Sequence, residues 1–149
     1  MQFKQLALSA AIAATTIGAA NAATEIQWWH SMTAVNNEWV NDLAKQFNES
    51  QSEYKVVPTF KGSYDESMTA AIAAFRSGNA PHVLQVFEVG TATMMASKGA
   101  TVPVGKVMAD AGAKFDPAGY IPAVAGYYTA PNGQMLSFPF NSSTTVFYY

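Results

Sequence analysis

The side chains best suited to chemistry lie between Phe60 and Ala100, in the run FKGSYDESMTAAIAAFRSGNAPHVLQVFEVGTATMMASKGA. Glu88 follows directly on the apolar residues Val83–Phe87. A carboxylate at the carboxyl end of a strand can accept hydrogen bonds from two hydroxyls, which suits a polyol or a sugar. It can equally be a solvated loop acid or a cap for a helix starting near Thr91, and position alone leaves these readings level. Tyr64 stands one residue past Ser63, after Gly62. Free N–H groups and the positive end of a helix dipole favour an anion at such a position. A phenol there can donate to a phosphate or carboxylate, or simply pack its ring over the helix start. Lys61 could assist an anion, although an exposed lysine is usually solvated surface.

Two further groups carry usable side chains. Strand alternation puts Trp28 and Trp29 on opposite faces, so at most one of them flanks a given cleft while the other packs in the core. Asn141-Ser142-Ser143 offers small polar groups able to hold an anion, or forms an ordinary loop. Met94-Met95 reads as helix packing. The chain has no phosphate-cradling loop, no dinucleotide glycine fingerprint and no Gly-x-Ser-x-Gly elbow. His30 and His82 are the only histidines and lie far apart in sequence, so no metal and no cofactor are expected. Asp65 and Glu88 could form a hydrolytic carboxylate pair. An acid in the first turn of a helix is, however, accounted for by the dipole alone.

The elements that must position these groups alternate. Glu25–Trp29 reads as a first strand and ends at His30-Ser31-Met32-Thr33. From Val35, Trp39, Leu43 and Phe47 recur at helical spacing and predict a buried stripe, with Val40 and Ala44 beside it. Tyr54–Phe60 is a strand whose Pro58 suits an edge or an end. Ser63 and Glu66 make a capping box, so a helix begins after Ser63, buries Met68, Ile72 and Phe75, and ends at Gly78. Val83–Phe87 is a third strand. This order predicts parallel pairing with right-handed crossovers. A short helix through Met94 and Met95 stops at Lys98-Gly99. Val102-Pro103-Val104 reads as extended. Another helix covers Lys106–Ala111, and Asp116-Pro117 opens one more. Pro131-Asn132-Gly133 is a hairpin turn, with strands expected over Leu136–Phe140 and Thr144–Tyr149.

The start of the chain predicts its compartment. Lys4, the apolar run Leu6–Ala20 and Ala20-Asn21-Ala22 form a signal peptide over residues 1–22, which places the mature start at Ala23. The run is shorter than the roughly 20 apolar residues of a membrane span. There are no cysteines, so an exported domain must fold on its core alone, which suits a bacterial periplasm. Removing Lys4 leaves seven basic against ten acidic side chains, a net −3, without a basic run. Nucleic acid and anionic membranes are therefore not expected as partners. The apolar stretch ending in Tyr148-Tyr149 suggests the N-terminal part of something longer.

Several blocks together resemble a known family. They are Trp29-His30-Ser31-Met32, Ala71–Arg76 with Gly78-Asn79-Ala80-Pro81, Leu84-Gln85-Val86, Glu88–Lys98 and Pro139–Thr144. The chain resembles the periplasmic solute-binding proteins of ABC importers, in the maltose-binding-protein-like group, and within it the branch that takes sn-glycerol 3-phosphate. The resemblance implies an α/β fold: one lobe of periplasmic-binding-protein type II form, a mostly parallel sheet flanked by helices, with the second lobe absent from residues 23–149. It implies a monomer that closes around its ligand by hinge bending, delivers it to an inner-membrane permease and performs no catalysis. Carried over residue by residue, the ligand contacts are Tyr64, Glu88 and Ser143, with Trp28 or Trp29 flanking the cleft. A glycerophosphodiester, or a maltodextrin or another sugar, is the competing ligand on the same fold.

Overall fold

The computed structural model describes residues 22–97, 99–143 and 145–149. The signal peptide expected over residues 1–22, apart from Ala22, lies outside the described residues, as do Lys98 and Thr144. Three strands, β1 (Thr24–His30), β2 (Tyr54–Phe60) and β3 (Val83–Leu84), form a parallel sheet in the order β2-β1-β3. The expected parallel pairing is therefore present, and Pro58 sits in an edge strand, where its missing N–H costs no ladder bond. β1 is central: the first connection steps from β1 out to β2, and the second runs the opposite way from β2 across β1 to β3. The right-handed rule for such crossovers places α1 (Ala34–Ser50) and α2 (Tyr64–Arg76) on opposite faces. Among the described residues no helix is long and apolar enough to cross a membrane.

The helices seat on their small residues rather than on the bulky stripes expected from spacing. In α1 the buried positions are Val40 and Ala44, while Trp39 and Phe47 are more than two-fifths exposed. In α2 they are Ser67 and Ala71, with Phe75 exposed and Met68 and Ile72 half-buried. The buried line is thus one position round from the predicted one. Small side chains let each helix approach the sheet, and the large ones fan out at the flanks. α2 begins as predicted. Ser63 Oγ accepts from the Glu66 N–H at 3.3 Å, and Glu66 Oε2 accepts from the Ser63 N–H at 2.7 Å. This hydrogen bonding holds the Glu66 carboxyl below its ordinary range. The helix closes at Ser77, with Gly78 at φ +75°.

Three predicted strands differ from the structure. β3 covers only Val83–Leu84 instead of Val83–Phe87, because the chain bends away after one further ladder bond, Gln85 N–H to Trp29 O at 2.9 Å. Leu136–Phe140 is not a strand. Its neighbourhood caps a helix instead: the N–H groups of Val104 and Gly105, at the start of α4 (Val104–Asp110), donate to the carbonyls of Leu136 and Met135 at 3.2 and 3.0 Å. Residues 145–149 are irregular and exposed, and pair with no strand among the described residues. The turn at Asn132-Gly133 does form, with Gly133 at φ +82° and an antiparallel bridge between Thr129 and Met135. Asp116 caps a single 3-10 turn, Pro117–Gly119, through Oδ1 and the Ala118 N–H at 2.9 Å.

His30 closes β1 and is 1% exposed. Its Nδ1 accepts from the Met32 N–H at 3.3 Å, so the proton sits on Nε2. Burial lowers its pKa below the ordinary 6.5. As pH falls below that value the unfolded chain takes up a proton that the fold resists, so His30 removes stability on acidification. The thermal midpoint should fall between pH 7.5 and pH 5.5, and His30→Asn should flatten this part of the profile. An equal fall in the variant would contradict the assignment.

Candidate ligand-binding site

All three strands point the same way, so their carboxyl ends share one edge of the sheet. Four segments leave or meet this edge: Ser31–Thr33, Lys61–Tyr64, Gln85–Glu88 and the irregular stretch after Pro139. In open α/β sheets ligands sit outside this edge.

Tyr64 is the first residue of α2 and is half-buried, its ring stacked on Phe87 at 5.5 Å between centroids with 25° between planes. Burial raises the phenol pKa above 10, and the Glu88 carboxylate and Tyr128 push it the same way. Tyr64 therefore stays protonated, and a donor, at any physiological pH. Glu88 opens α3 (Glu88–Ala96), directly at the helix start rather than in a loop before it. Its side chain is exposed, and its backbone carbonyl accepts from the Tyr127 hydroxyl at 2.8 Å. Phe87 directly precedes Glu88 in sequence and lies under Tyr64 in space, so the phenol is stacked on the neighbour of the carboxylate residue. Gly90 makes this packing possible. A Cβ there would lie 2.8 Å from Phe87 Cε1 and 3.0 Å from Met68 Sδ. Gly90→Ala should therefore displace Phe87 and cost about 1–3 kcal/mol as overpacking. Near-ultraviolet circular dichroism would report the moved Tyr64–Phe87 pair, and an unchanged spectrum and midpoint would contradict this.

The two tryptophans diverge, as alternation requires. Trp28 meets Phe140 edge-on at 5.6 Å, and Phe140 stacks on Trp39 of α1 at 4.9 Å, which packs Trp28 on the α1 face. Trp29 carries Lys61 Nζ over its ring at 4.0 Å, a cation–π contact beside the entry to α2. Ser143 is exposed in irregular chain, two residues past Asn141. The fold thus brings Tyr64 and Glu88 together at the sheet edge and leaves Trp28 in an aromatic cluster.

Sequence reasoning missed Gln85 and Asn141 as structural contributors. Gln85 Oε1 accepts from the Ser31 N–H at 3.0 Å, Gln85 Nε2 donates to Asn141 Oδ1 at 3.5 Å, and Asn141 Nδ2 donates to Met32 Sδ at 3.4 Å. These residues are 54 or more positions apart, and no local spacing signals them. Among the described residues no group of three or more acidic, His or Cys side chains could hold a metal ion.

Residues 31–149 match the family model described as bacterial extracellular solute-binding protein. The chain belongs to the bacterial extracellular solute-binding protein family. Several curated relatives carry the name sn-glycerol-3-phosphate-binding periplasmic protein UgpB. The protein of that name from Brucella suis biovar 1 is 54% identical over 143 residues, 96% of this chain and 33% of the relative. That of Rhizobium meliloti is 55% identical over 130 residues, 87% of this chain and 30% of the relative. That of Salmonella paratyphi A is 51% identical over 150 residues, the whole chain and 34% of the relative. The chain spans about a third of the length of the curated relatives it matches. The sheet and its flanking helices are those of one lobe in this solute-binding family.

Proposed function

We propose that this chain is the N-terminal portion of a periplasmic solute-binding protein that captures sn-glycerol 3-phosphate and passes it to an inner-membrane ABC permease. In this reading the protein binds its ligand without altering it, works as a monomer, and is exported by a signal peptide cleaved after Ala22. The observation that carries the reading is the placing of a protonated phenol, Tyr64, stacked on Phe87 next to the exposed Glu88, at the carboxyl edge of the sheet. Glu88 accepts hydrogen bonds from glycerol hydroxyls. Tyr64, at a helix N-terminus, and Ser143 donate to phosphate oxygens or orient the main chain around them. The match covers nearly all of this chain and about a third of its relatives, and in this reading the rest of the cleft belongs to a second lobe.

Competition binding on the full-length protein tests ligand identity. sn-Glycerol 3-phosphate should displace a neutral maltodextrin and not be displaced by it, and the reverse order would move the assignment to a sugar. The half-site reading has its own test. Calorimetry on residues 23–149 alone should give weak binding or none, since only one side of the ligand is held. Tight binding by this portion alone would overturn it.

A further inference from the structure

We infer that Gln85, without touching ligand, positions the binding edge by clasping three chain segments together and setting the segment that carries Ser143. This rests on the function proposed above. The Ser31 main-chain N–H can only donate, so the Gln85 atom 3.0 Å from it is the carbonyl oxygen. The other end of the carboxamide is then NH2, and it faces Asn141 Oδ1 at 3.5 Å, the outer limit for such a bond. With its oxygen so used, Asn141 turns its own NH2 to Met32 Sδ at 3.4 Å, an ordinary distance for a sulfur acceptor. One backbone donor thereby orients two side-chain amides in series.

The clasp has an apolar partner. Phe140, next to Asn141, is held between Trp39 and Trp28 at 4.9 and 5.6 Å. Phe140 and Asn141 are therefore fixed to β1 and α1, and Ser143 follows two residues on, exposed and without regular structure of its own. Gln85 is rooted independently, since its N–H continues the ladder to Trp29 O at 2.9 Å. The Ser31 loop, the β3 exit that leads to Glu88, and the approach to Ser143 thus converge on one carboxamide.

The test is a double-mutant cycle on the full-length protein with sn-glycerol 3-phosphate as titrant. Gln85→Met keeps the side-chain length and removes both hydrogen bonds. It should weaken binding about five- to tenfold, as expected for loss of one or two neutral hydrogen bonds. In a Ser143→Ala background the same change should weaken binding less than about twofold, because the contact that Gln85 serves is already gone. Asn141→Leu should reproduce Gln85→Met and be non-additive with it; it also serves if Gln85→Met does not fold. A full, additive loss in the Ser143→Ala background would reduce Gln85 to general packing and overturn the inference. So would unchanged affinity in Gln85→Met. Failure of the unmutated protein to bind sn-glycerol 3-phosphate would instead overturn the proposed function.

Discussion

Glu88→Ala in the full-length protein should weaken sn-glycerol 3-phosphate binding by about 10- to 150-fold, because it removes a charged acceptor worth about 1.5–3 kcal/mol. The stability cost should be much smaller. The side chain is exposed and contributes to the fold mainly as an acid in the first turn of α3, an effect of about 0.3–1 kcal/mol. Affinity and thermal midpoint therefore separate in this variant, which distinguishes a ligand contact from a structural one. Glu88→Gln keeps one carbonyl acceptor and should lie between wild type and Glu88→Ala. Isothermal titration of the three proteins measures the series, and equal affinities would remove Glu88 from the site.

Gly62→Ala should be among the most destabilising single-methyl additions at the sheet edge. Gly62 has φ +81°, and a Cβ would stand 2.3 Å from Glu66 Oε2. The left-handed backbone alone costs a non-glycine residue about 1–2 kcal/mol. The clash then pushes the Glu66 carboxylate off the Ser63 N–H and opens the capping box that starts α2 at Tyr64. Gly78→Ala is the control. Its φ is +75°, yet an added Cβ meets nothing within 4 Å. Gly78→Ala should lower the thermal midpoint by backbone strain only, while Gly62→Ala should lower it further and also weaken ligand binding by loosening Tyr64. Equal midpoints for the two variants would show that the capping box is not disturbed.

What could be read from sequence was local, and what could not was long-range. The Ser63–Glu66 box, the Gly78 stop, the Asn132-Gly133 turn and the edge position of Pro58 are each set by neighbours a few residues away, and each is present. The buried lines of α1 and α2 were displaced because periodicity marks bulky residues, whereas close seating on a sheet selects small ones, Ala44, Ser67 and Ala71. Leu136–Phe140 is apolar enough for a strand, but Phe140 finds Trp28 and Trp39, and the Leu136 carbonyl finds the start of α4. Tyr64 could be picked from its place at a helix start, whereas Glu88, expected at a strand end, opens α3 four residues past β3. The stacking of Tyr64 on Phe87, and the Gln85–Asn141 clasp, depend on contacts that only the folded topology creates.

The most direct test of the central claim is a crystal structure of the full-length protein with sn-glycerol 3-phosphate bound. Ligand hydroxyls should lie within about 2.5–3.0 Å of the Glu88 carboxylate, and ligand oxygens at similar range from the Tyr64 and Ser143 hydroxyls, outside the carboxyl edge of the β2-β1-β3 sheet. Ligand seated away from that edge, with Tyr64 and Glu88 making no contact to it, would contradict the claim.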